Sequence, residues 1–139
     1  MTITAILVTA AVAFVLGFLF HGPLFGDVWM KLADIHPTGK EKLKDMIPQM
    51  AYNYLANVLS ATVLALIIGL IFSSGNPNVG EPTWFRGAVM GFWVWLGFIV
   101  TSTSMDVIWM GRKLKLWLFE SACSLVVMTV MGAMLAVWR

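Results

Sequence analysis

The groups in this chain that could do chemistry are few: two histidines, one cysteine and seven carboxylates in 139 residues. His21, Asp106 and Glu120 lie at the edges of long apolar stretches, beside neutral polar residues. Gln49, Asn53, Asn57 and Ser60 make one helical stripe, at i+4, i+4 and i+3 spacing. Thr101, Ser102, Thr103 and Ser104 run up to Asp106, and Glu120 shares a helical face with Ser124. In an apolar setting each such group needs a partner or water. Three uses are open to them. They can be hydrogen-bonding glue between helices. They can line a pocket for a small polar solute or a proton, with His21 as a proton carrier. The third use, catalysis or metal binding, has the fewest signals. No H-x-x-H, H-E-x-x-H or C-x-x-C occurs, and neither His21 nor His36 stands at a ligand spacing from a carboxylate. No catalytic residue, metal or cofactor is expected.

The elements that position these groups follow from composition. Hydrophobic residues make up 60% and charged residues 12%, against roughly 45–50% and about 25% in soluble domains. Mean hydropathy is +0.86. Too little polar surface exists to cover a water-soluble globule, so the chain reads as an integral membrane protein. A net charge of +2 argues against a nucleic-acid partner. Cys123 has no intrachain partner, which excludes a disulfide scaffold and leaves it a small packing residue. A spanning helix needs about 20 mostly apolar residues. Gaps between charges place four of them, near Ile3–His21, Gln49–Phe72, Trp84–Met105 and Lys115–Trp138. The expected fold is all-α: one transmembrane domain over residues 1–139, built as two helical hairpins. The first helix has no Lys or Arg before its apolar run, so it is expected to be an uncleaved span rather than a signal peptide.

Basic residues set the expected orientation. Lys31, Lys40, Lys42 and Lys44 lie in loop 22–48, and Arg112, Lys113 and Lys115 lie in or beside loop 106–114. The opposite side holds Arg86 and Arg139. Cytoplasmic loops carry the basic excess. Both termini are therefore expected outside, with these two loops in the cytoplasm, in the inner membrane of a bacterium. In loop 22–48, Phe25, Trp29 and Leu32 share a helical spacing, and Thr38 with Glu41 fits a capping box opening a short helix through Ile47. This part reads either as an amphipathic segment on the membrane surface or as a solvated loop. On this topology His21, Asn53, Asn57, Ser102, Asp106, Glu120 and Ser124 all fall in the cytoplasmic half of the bilayer.

Small residues four apart mark close helix packing. Gly87 and Gly91 form a G-x-x-x-G; Ala61, Ala65 and Gly69 line the second helix; Gly132 and Ala136 line the fourth. Four helices leave little interior, so some of these faces are expected to serve a homo-oligomer. Gly17-Phe18 recurs as Gly97-Phe98, and Trp29-Met30 as Trp109-Met110, at one offset. That fits a parallel repeat of two hairpins. It also fits two independent helices that obey the same interfacial preferences.

The stretch from Gly17 through His21, Gly22, Pro23 and Gly26 to Trp29 resembles the small membrane proteins grouped as domain of unknown function 1761. Trp95-Leu96-Gly97-Phe98 with its Thr/Ser run, Gly111-Arg112-Lys113-Leu114-Lys115-Leu116, and the closing Met131 to Arg139 stretch resemble that family too. The resemblance covers nearly the whole chain, and its Gly-Pro-x-x-Gly segment is the most specific part. It implies four membrane helices and no established activity. Phe20-His21 stands where similar sequences often have a Trp-Tyr type pair, Asp106 where a neutral amide is frequent, and Ser124 where some have His. The expected function is binding or passage of a small polar solute or proton at a cytoplasm-facing pocket. The alternative is an accessory subunit, packed with other membrane subunits in a larger complex.

Overall fold

The computed structural model describes residues 2–35 and 43–138, with the backbone alone at residues 43 and 44. His36, Thr38, Lys40, Glu41, Lys42 and Arg139 lie outside the described residues, and so does the capping box expected at Thr38. Every described element is helical: α1 (Ile3–His21), α2 (Gly26–Leu32), α3 (Leu43–Phe72), α4 (Trp84–Val94), a π-helical segment (Trp95–Val100), α5 (Thr101–Trp109) and α6 (Leu114–Val137). Four stretches are long and apolar enough to cross a membrane: Ile3–His21, Asp45–Phe72, Trp84–Trp109 and Leu114–Val137. They hold 19, 28, 26 and 24 residues. At about 1.5 Å per residue each reaches or nearly reaches the roughly 30 Å hydrocarbon thickness.

Local chemistry sets the ends. Thr2 accepts from the Ala5 amide through its hydroxyl, and Thr83 from the Arg86 amide, each at 3.2 Å. These caps satisfy amides that the first helical turn leaves unpaired. α1 stops at His21 because Pro23 lacks an N–H and crowds the carbonyl four residues back. The Leu24 amide reaches past it to the Leu19 carbonyl at 3.0 Å. The chain then turns and resumes as α2, whose backbone carries Trp29 and Leu32.

Two boundaries differ from the sequence reading. The second span does not begin at Gln49, and the segment through Ile47 is not a separate helix. α3 is continuous from Leu43, with Pro48 inside it. A proline this near a helix start forfeits one backbone bond, a small loss beside the continuity of 30 residues. The third span does not end at Met105. It continues through the π segment to Trp109, so Asp106 belongs to a helix and not to a loop. The hydroxyls of Thr101, Thr103 and Ser104 donate back to the carbonyls of Gly97, Ile99 and Thr101 at 2.6–2.7 Å. Ser102 donates to the Phe98 carbonyl. The turn through Met110–Lys113 closes on Gly111 at φ +68°, a left-handed conformation that glycine adopts without a Cβ penalty.

α6 is the central helix and touches α1, α2, α3, α4 and α5. Its closest neighbour is α4. A Cβ at Gly87 or Gly91 would fall on the backbone of Gly132 or Met128, and one at Gly132 would fall on that of Gly87. Only glycine permits this approach, and in lipid such contact is the main packing gain. On the other side of α6, Ala10 and Ala13 of α1 and Ala61, Leu64, Ala65 and Ile68 of α3 close the core against Met131, Leu135 and Ala136. Gly69 is half-buried beside them. Gly87, Gly91, Gly132 and Ala136 are thus used within one chain.

Candidate functional site

The basic end of the bundle gathers most of the polar chemistry. α5 delivers Asp106 and α6 delivers Glu120, while the short turn between them supplies Arg112. The Arg112 guanidinium lies 2.9 Å from Glu120 and 3.5 Å from Asp106. These side chains are between 32% and 45% exposed at the surface of the bundle. The Asp106 carbonyl also accepts from the Met110 and Arg112 amides, at 3.0 and 3.1 Å. That bond fixes the turn that brings the guanidinium to its carboxylates. One guanidinium against two carboxylates leaves the group with a net negative charge.

Neighbouring ties hold this end together. Lys113 pairs with Asp34 at 2.7 Å and so fastens the chain after α2 to the start of α6. The Trp117 indole donates to Thr103 at 3.0 Å. The Trp95 indole is placed between the Ser121 carbonyl at 2.9 Å and the Ser124 hydroxyl at 3.0 Å, joining the π segment to α6. Ser124 itself donates to the Ser121 carbonyl. His21 is half-buried, with Nδ1 2.9 Å from the Gly17 carbonyl. Its ring meets Trp29 edge-on at 5.0 Å and Phe119 at 5.9 Å.

The structure therefore brings Asp106 and Glu120 together through Arg112. It sets His21 against the neighbour of Glu120 and places Ser124 one turn further along α6. Ser102 spends its hydroxyl on its own helix. Asn53 and Asn57 do not join the group. Asn57 donates to the carbonyl and side chain of Asn53, at 2.9 and 3.1 Å. Tyr54, between them, donates to the Leu7 carbonyl at 3.1 Å and meets Phe14 edge-on. Leu7 and Phe14 lie about 21 and 10 Å along α1 from His21. The cause is the early start of α3, which carries its polar stripe about 9 Å further along the bundle than a start at Gln49 would.

Sequence reasoning missed the indole bonds and the Asp34–Lys113 pair. The indoles carried a usable signal, because a Trp inside an apolar helix needs an acceptor for its N–H. Asp34 carried none. Concave surface near the cluster is apolar: a groove of about 500 Å³ runs among Phe20, Phe25, Val28, Phe119 and Cys123.

No curated protein and no solved structure matches this chain. A family model described as a protein of unknown function, DUF1761, matches residues 4–136. With the match running over nearly its whole length, the chain belongs to the DUF1761 family.

Proposed function

We propose that the chain binds a small cationic solute or a proton at Asp106, Arg112 and Glu120, on the cytoplasmic side of a bacterial inner membrane. The observation behind this reading is the pairing of two partly exposed carboxylates with a single guanidinium. Two carboxylates on one guanidinium leave a carboxylate oxygen free to take a proton or a cation. The cytoplasmic assignment rests on the basic residues at this end. Asn53 and Asn57 take no part. The test uses Glu120→Cys in a Cys123→Ser background, in oriented vesicles, with a charged thiol reagent that reacts only through water. Labelling from the cytoplasmic face alone supports the site. Equal protection on both faces removes it.

The accessory-subunit reading is favoured by a different observation: Trp95 and Trp117 spend their indole donors on bonds between helices, as glue does. Mild solubilisation decides it. Foreign chains recovered in fixed ratio support an accessory role, and an assembly of this chain alone excludes it.

A further inference from the structure

We propose that the apolar groove beside α2 seats one acyl chain of an anionic phospholipid, with Lys115 holding the phosphate. The groove is walled by three elements. Phe20 at the end of α1 stacks on Phe25, their ring centroids 6.2 Å apart. Phe25 meets Phe119 of α6 edge-on, also at 6.2 Å, and Val28 of α2 overhangs the opening. Ala122, Cys123 and Val126 of α6 make the floor. The lining is almost wholly apolar, and its volume of about 500 Å³ falls in the roughly 300–1,000 Å³ range of ligand pockets.

Charge decides the occupant. Lys115, Phe119, Ala122 and Val126 stand at i, i+4, i+7 and i+11, so one stripe of α6 runs from an ammonium straight into the groove. From Lys115 to Val126 is about 16 Å, close to the depth of one leaflet of a roughly 30 Å hydrocarbon core. Lys115 is exposed, and it has no carboxylate partner among the described residues. Lys31, three residues beyond Val28 on α2, is exposed and unpaired in the same sense. The nearby Glu120 is held by Arg112, and Asp27 stands a helical step away from Val28. A zwitterionic lipid offers the same phosphate, but its own ammonium offsets the attraction to the lysines. An anionic lipid keeps its net negative charge for them.

The test is native mass spectrometry of the purified full chain supplied with equal phosphatidylglycerol and phosphatidylcholine. The expected result is about fivefold preferential retention of phosphatidylglycerol. Lys115→Glu should bring retention of the two lipids to parity. Ala122→Trp, at an exposed position, should fill the groove and lower retention of both. In parallel, a membrane-permeant maleimide should alkylate Cys123, the single cysteine, more slowly in the presence of phosphatidylglycerol than of phosphatidylcholine. Equal retention by the unaltered chain overturns the proposal. So does a preference that survives Lys115→Glu, or retention unchanged by Ala122→Trp. A change in assembly mass with Ala122→Trp would show a second copy in the groove and overturn it equally.

Discussion

The segments from Gly17 to Trp29 and from Gly97 to Trp109 carry Gly-Phe and Trp-Met at the same offset, yet they fold differently. In the first, the helix breaks after His21 and a seven-residue helix restarts at Gly26. In the second, the chain stays helical through a π segment to Trp109. Gly22-Pro23 stands in one and Thr/Ser residues stand in the other. Proline removes a backbone donor and blocks continuation. Hydroxyls instead return hydrogen bonds to carbonyls three or four residues back and leave the helix unbroken. The consequences separate as well. The broken copy makes the overhang that walls the groove. The unbroken copy carries Asp106 far enough to reach Arg112.

The largest expected difference lies in backbone packing, not at the matched Gly17 and Gly97, which both face open space, but between Gly17 and Gly91 of α4, just before the second segment. Gly91→Leu would drive a side chain into the Met128 backbone and push the π segment off α6. A backbone contact cannot relax, so the cost falls at the upper end of overpacking effects, about 3 kcal/mol. A Cβ at Gly17 would meet no atom within 4 Å, and Gly17→Leu should leave stability nearly unchanged. Denaturation in mixed micelles measures both. Equal losses would mean that α4 is not held against α6 by its glycines.

Next in size is Arg112→Ala. It leaves Asp106 and Glu120 near one another without their shared cation. Hydrogen bonds to charged groups contribute about 1.5–3 kcal/mol, and partial exposure reduces this to about 1–2 kcal/mol. Lys113→Ala loses only a more exposed pair with Asp34, which should cost under about 1 kcal/mol. The ratio of the two losses tests whether Arg112 organises this end.

Pro23→Ala changes shape more than stability. Restoring a donor lets α1 extend toward α2, with a stability change under about 1 kcal/mol. Spin labels on Cys123 and at Asp27→Cys should move apart as Val28 leaves the groove. An unchanged distance would assign the break to Gly22 and the following turn instead.

These contrasts show which parts of the fold were legible in the residues. Four spans were readable because charge is nearly absent from membrane helices, and α1 was placed at Ile3–His21 because Pro23 stops it. The early start of α3 was hidden, since charged residues such as Asp45 can extend a helix beyond the hydrocarbon without interrupting it. The extension of the third span past Asp106 was hidden for the same reason. Of the candidate site, Asp106 and Glu120 stood out as carboxylates at the edges of apolar stretches. Their separation from Asn53 and Asn57 was not, because helical periodicity gives the face of a residue and not its level relative to another helix.

The smallest contrast concerns indole donors. Trp117 gives its N–H to Thr103, and in a membrane such interhelical bonds are worth on average about 0.6 kcal/mol. Trp29 sits in the broken copy with its Nε1 buried and no hydrogen-bond partner among the described residues. A buried donor left unpaired costs free energy instead of supplying it. Trp117→Phe should therefore lower stability by about 0.6 kcal/mol, with Thr103→Val giving the same loss and the double variant no more. Trp29→Phe should be neutral or slightly stabilising, because it keeps an aromatic edge for His21 while removing the unpaired donor. Should Trp29→Phe cost as much as Trp117→Phe, the Trp29 indole must find an acceptor in the membrane, and the asymmetry between the two copies would lie in the proline alone.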